Sequence, residues 1–97
     1  MLTYCMIKSF KHKTLADLFQ TGKSGKIDAK VHRRILVRLD RLAVSERPED
    51  MDLPGFDFQP LKGFNPTRYS VHVNGPWCIT FEFDANDAAR VDFEQYH

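Results

Sequence analysis

"RYSVHVNGPWCITFEFD", residues Arg68 to Asp84, sets the class of the fold. Before Asn74-Gly75-Pro76, Tyr69, Val71 and Val73 share one face, and Arg68, Ser70, His72 and Asn74 share the other. After it, Trp77, Ile79, Phe81 and Phe83 alternate with Cys78, Thr80, Glu82 and Asp84. A period of two is that of a strand with one buried face. Asn-Gly between two such runs marks a β-hairpin.

Downstream, "DAND" turns the chain, "AARVDF" predicts a last strand, and "EQYH" closes on Tyr96-His97. Upstream, "FDFQPL" sets Phe56 and Phe58 against Asp57 and Gln59, and Pro60 predicts a strand end or an edge strand. "LKGFNPTR" joins this segment to the hairpin as a loop.

Before residue 45 the period is helical. Val31, Ile35, Leu39 and Leu42 recur at helical spacing, with Leu36 and Ala43 widening the stripe and Asp28 in place to cap the N-terminus. Lys30, Arg33, Arg34, Arg38 and Arg41 occupy the opposite face. Such a face is more often a solvated surface than a nucleic-acid contact. An earlier helix follows from Leu15, Leu18 and Phe19, with Thr14 and Asp17 at capping-box spacing and Gly22 as its stop. "MIKSF" is a short strand candidate, and "SERPEDMDLPG" reads as a loop. Two amphipathic helices need an apolar partner, and a meander with one apolar face supplies it. The expectation is a two-layer α+β domain whose second sheet face is polar.

The chain has 97 residues, enough for one domain with a modest core. Its net charge of +1 hides an asymmetry. Residues 1–45 hold ten Lys/Arg against three acids, and residues 46–97 hold four against ten. A basic half suits an anionic partner, and equally a solvated helix face. Two cysteines, Cys5 and Cys78, make neither a disulfide framework nor a zinc site. No apolar run suggests a membrane span, and "MLTYCMIKSF" lacks the pattern of a signal peptide, so a cytoplasmic location is expected. Met6 offers a second start, which makes residues 1–5 a candidate extension and residues 6–97 a single domain.

No phosphate-binding loop, nucleophile elbow or zinc-protease motif occurs. The groups with chemistry to offer are Lys62, Arg68, His72, Tyr96 and His97. Metal-independent RNA cleavage needs a base for the 2′-hydroxyl, an acid for the leaving oxygen and a cation for the phosphate. Those residue types are present, although each has an ordinary structural explanation.

"MIKSFKHKTLADLFQTGK", "PLKG", "YSVHVNGPW…ITFEF" and the terminal "YH" together resemble the HigB branch of the RelE/ParE toxin superfamily, the plasmid maintenance killer proteins. The resemblance implies a RelE-like fold, with two N-terminal helices on a small antiparallel sheet. It implies a type II toxin that cleaves mRNA in the ribosomal A site without metal or organic cofactor. The implied partner is a HigA-like helix-turn-helix antitoxin, through which alone the toxin would meet operator DNA; no membrane is involved. Carried over by residue, Lys62, Tyr96 and His97 are the expected catalytic groups, and Arg68, His72 and Gln59 the expected RNA contacts. Three positions depart from the family's pattern. Gln59 stands where histidine is usual, Cys78 where arginine is usual, and Gln95 where an acid is usual. Glutamine cannot take a proton near neutral pH, and cysteine offers no fixed cationic fork. They imply a slower enzyme, or a homologue that mainly binds its antitoxin and tunes operon repression. A gyrase-poisoning toxin of the ParE kind fits "PLKG" and the terminal Tyr-His less well.

Overall fold

A computed structural model of the chain describes residues 7–22, 25 and 27–95. Two helices, α1 (Lys13–Thr21) and α2 (Ala29–Val44), precede a single 3-10 turn at Pro48–Met51. Four strands follow: β1 (Gln59–Leu61), β2 (Arg68–Asn74), β3 (Trp77–Asp84) and β4 (Asp87–Gln95). They pair antiparallel in the order β1-β2-β3-β4, with both helices on one face. This is the two-layer α+β arrangement expected from the change of period.

The core lies between the layers. Leu15 and Leu18 of α1 and Ile35, Leu39 and Leu42 of α2 meet Val71, Val73, Ile79, Phe81 and Val91 of the sheet. All ten are at most 1% exposed, and burying each leucine-sized side chain contributes about 2 kcal/mol. The connector predicted as loop adds Met51, fully buried, and Phe56. Phe58, Tyr69 and Phe81 then stack in sequence across three neighbouring segments, at 5.5 and 5.9 Å between centroids.

The two helix ends that sequence identified are confirmed. Asp28 Oδ1 accepts the Lys30 amide at 3.0 Å, and Gly22, at φ 83°, closes α1 by donating its N–H to Leu18 O. The start of α1 differs. The cap is His12, whose Nδ1 accepts the Leu15 amide at 3.0 Å; Thr14 is already inside the helix. The segment after Met6 also differs from a regular strand. Ile7 and Phe10 make only isolated parallel bridges to Ala88 and Val91 of β4. Between those bridges β4 bulges, with Arg90 at φ 49°, which breaks any continuous ladder.

Arg38 requires a correction. Helical spacing sets it on the face of α2 opposite the apolar stripe, yet it is 9% exposed. Its guanidinium donates to the carbonyls of His72 (2.5 Å), Arg34 (3.0 Å) and Gly55 (3.3 Å) and lies over the Phe56 ring. It ties α2 to β2 and to the connector. Burial, and then the neighbouring Arg34, depress its pKa.

Candidate functional site

The polar face of the sheet, turned away from the helices, is built by register. Gln59 pairs Ser70, Ser70 pairs Thr80, and Thr80 pairs Asp92. One row along, His72 pairs Cys78 and Cys78 pairs Glu94. Opposite residues in neighbouring strands share a face. A groove of about 640 Å³ runs over this surface, lined by Asp57, Gln59, Leu61, Ser70, His72 and Cys78 and closed at one end by Gly75-Pro76.

The structure therefore brings Gln59 and His72 together in one groove. His72 Nε2 lies 3.0 Å from Gly75 O, so this nitrogen carries a proton and donates it. Gln59 donates its amide to Asp57 Oδ1 at 3.3 Å. Lys62 is exposed in the turn directly after β1, where Gly63 adopts φ 87°. Tyr96 and His97 lie outside the described residues. The last described residue, Gln95, pairs with Trp77 and thus has the parity of the helix side.

Arg68 is differently placed from the other RNA-contact candidates. It is 7% exposed, and its donors are committed to Glu82 Oε1 (2.8 Å), Thr80 Oγ1 (3.0 Å) and the Arg90 carbonyl (3.0 Å). Glu82 spends its second oxygen on Arg90 at 2.8 Å. Thr80, fully buried, donates its hydroxyl to Glu94 Oε2. The result is a continuous line of partners, Arg90–Glu82–Arg68–Thr80–Glu94. The β4 bulge makes it possible: left-handed Arg90 turns its carbonyl to Arg68 and its side chain to Glu82.

Cys78 forms part of the groove floor. Burial pushes its thiol pKa up, and the carboxylates of Asp57 and Glu94 push it further. It is therefore a protonated thiol near neutral pH, neither a nucleophile nor a cation. A second cavity of about 420 Å³ lies across the Asn74–Trp77 turn, on the helix side. Trp77 stacks there on Phe93 at 4.8 Å and stays 37% exposed, because the helices do not reach over it as its parity suggested. The basic residues Lys30, Arg33, Arg34 and Arg41 of α2 are exposed, and Arg34 donates to Val73 O at 3.3 Å and to Asn74 Oδ1 at 3.4 Å at the end of β2. Among the described residues, no cluster of three His, Cys, Asp or Glu could hold a metal ion, and no helix is long and apolar enough to cross a membrane.

The sequence pattern of the family described as RelE-like toxin of type II toxin-antitoxin system HigB matches residues 8–97. The chain belongs to the HigB-like toxins. A relative, the Endoribonuclease HigB of Proteus vulgaris, is 36% identical over 92 residues, spanning 95% of this chain and 100% of its own length. The resemblance drawn from "PLKG", the hairpin and the terminal Tyr-His therefore identified the right family.

The sequence reading missed the partners of Arg68. Glu82 and Thr80 share its face by parity, which is a usable signal. It is incomplete, because the register slips between His72 and Asn74 and again between Thr80 and Glu82. Only the slipped register brings Arg68, Glu82 and Arg90 together.

Proposed function

We propose that this HigB-like toxin is a metal-independent endoribonuclease that cleaves mRNA on the ribosome and so inhibits translation. The observation that carries the reading is full-length similarity to a protein named as an endoribonuclease. The polar groove on the open face of the sheet supports it, because it holds His72 and Gln59. In this reading Lys62 contacts the scissile phosphate, Tyr96 stacks on or orients a base, and His97 is a general acid or base. Gln59 and His72 hold the RNA by hydrogen bonds. Arg68, a buried cation opposite Leu61 of the groove lining, contributes field to the phosphate and holds Thr80 in place. The partner is a HigA-like antitoxin, and operator DNA is reached only through it. A cytoplasmic location follows from a substrate on the ribosome.

Primer extension on mRNA after induction tests the reading. Discrete new 5′ ends within translated sequence support it; intact mRNA in growth-arrested cells refutes it. A second reading is favoured by Cys78, a neutral thiol where the family usually has arginine. On that reading the chain is an impaired homologue that mainly binds its antitoxin and tunes repression. Induction without growth arrest, combined with intact antitoxin binding, would select it.

A further inference from the structure

We propose that Asp57 and Gln59 together read an mRNA base in the groove, and that the base they favour is guanine; the proposal rests on the endoribonuclease reading and gives that site its sequence preference.

The lining of the groove decides which part of RNA enters it. Among the described residues, no lysine or arginine lines it, and Asp57 is its one carboxylate. None of the ion pairs among the described residues involves Asp57. After burial, Asp57 is the largest cause of the raised Cys78 pKa, so its charge is felt at the groove floor. An unpaired carboxylate repels phosphate. A neutral base with N–H donors suits this lining. Lys62, next in sequence to the lining residue Leu61, is left to take the phosphate.

Asp57 is held in position from both sides. Phe56 before it is buried, and its carbonyl accepts the His72 amide at 2.6 Å. Phe58 after it stacks on Tyr69 at 5.5 Å. Between these anchors Asp57 takes φ 49°, in the left-handed region. Asparagine suits that conformation as well as aspartate does, and glycine suits it better. Neither backbone shape nor an ion pair therefore accounts for the charge.

The hydrogen bonds of the pair set the choice of base. Gln59 Nε2 donates one proton to Asp57 Oδ1 at 3.3 Å. An amide nitrogen carries two protons, and a carboxylate accepts about four hydrogen bonds. Among the described residues, the second Gln59 proton and the remaining lone pairs of both Asp57 oxygens have no partner. Side by side they present one donor and then two acceptors. The Watson–Crick edge of guanine is the complement: O6 accepts, and N1–H and N2–H donate. Adenine and cytosine show one amino group beside a ring-nitrogen acceptor. Uracil shows one N–H between two carbonyls. Each of those three gives the carboxylate one donor where guanine gives two.

Single-turnover cleavage on purified ribosomes, programmed with every A-site codon in turn, tests the assignment. At one codon position, guanine should raise the wild-type rate roughly 5- to 150-fold over the other three bases, the discrimination typical of a bidentate contact. Asp57→Asn sets an amino donor against the guanine donors, and should reduce that preference below about twofold. Inosine, which lacks the N2 amino group, should be cut at least about threefold more slowly than guanosine by wild type, and no more slowly by Asp57→Asn. If Asp57→Asn melts early, Asp57→Gly, which the positive φ admits, supplies the same comparison. Equal cutting of all four bases at every codon position, a preference for another base, or a guanine preference that survives both substitutions overturns the assignment while the endoribonuclease reading stands. A wild type that cuts no mRNA fails that reading, and the assignment with it.

Discussion

Removing Glu82 should be among the most destabilising single changes available outside the apolar core. Its side chain is 7% exposed and holds two guanidiniums, Arg68 at 2.8 Å and Arg90 at 2.8 Å. The two are not equivalent. The Arg90 side chain is 58% exposed and can return to water, whereas Arg68, at 8%, cannot. Glu82→Ala therefore leaves a buried cation unpaired, a change that typically costs about 3–5 kcal/mol. Set against a total stability of about 5–15 kcal/mol, that is a large share. For a domain of this size about 4–8 °C of melting temperature goes with each kcal/mol, so the loss should exceed about 12 °C. Calorimetry and urea denaturation at neutral pH measure it directly. Added salt should not rescue the variant, because a buried charge is poorly screened. The double change Arg68→Met with Glu82→Leu removes both charges and should recover much of the loss. A Glu82→Ala protein within about 1 kcal/mol of wild type would refute the reasoning, since Arg68 would then have found water or another partner. So would a double variant less stable than the single one.

Other expected outcomes rest on single residues. Arg38→Lys should cost about 2–3 kcal/mol in urea denaturation, because an ammonium cannot serve the His72, Arg34 and Gly55 carbonyls and also lie flat on Phe56. The raised pKa of Cys78 means that the folded state holds the thiol proton more tightly than the unfolded chain, where the value is about 8.5. That contribution is complete below the unfolded value and is lost as pH rises through the folded one, so a pH series of melts should show wild type losing ground to Cys78→Ala on the alkaline side. In a Cys5→Ser background, iodoacetamide should modify Cys78 far more slowly in native protein than in urea. Gly22→Ala should lower stability by about 1 kcal/mol, since the C-cap stands at φ 83°.

Sequence carried the layers and stopped at the register. Alternation from Arg68 to Asp84 and the helical stripe from Val31 to Ala43 are local patterns, and local patterns report which face is apolar. They placed Val71, Ile79, Phe81, Ile35 and Leu39 in the core correctly. What they cannot report is a contact set by a bulge. Arg68 read as an exposed cation on a polar face because nothing near it in sequence shows that Glu82 and Arg90 will be brought beside it. Arg38 misled in the same way, since helical spacing put it opposite the stripe, while the long side chain reaches back to β2. For the groove, parity sufficed to put Gln59, His72 and Cys78 on one face.

The central claim is that this chain cuts translated mRNA through groups at the open face of its sheet. Primer extension on a defined mRNA, translated in a purified system with wild-type or His97→Ala protein, tests it most directly. The account predicts discrete 5′ ends within the reading frame that require ribosomes and disappear with His97→Ala. Undiminished cutting by His97→Ala, or no cutting by wild type, would contradict it.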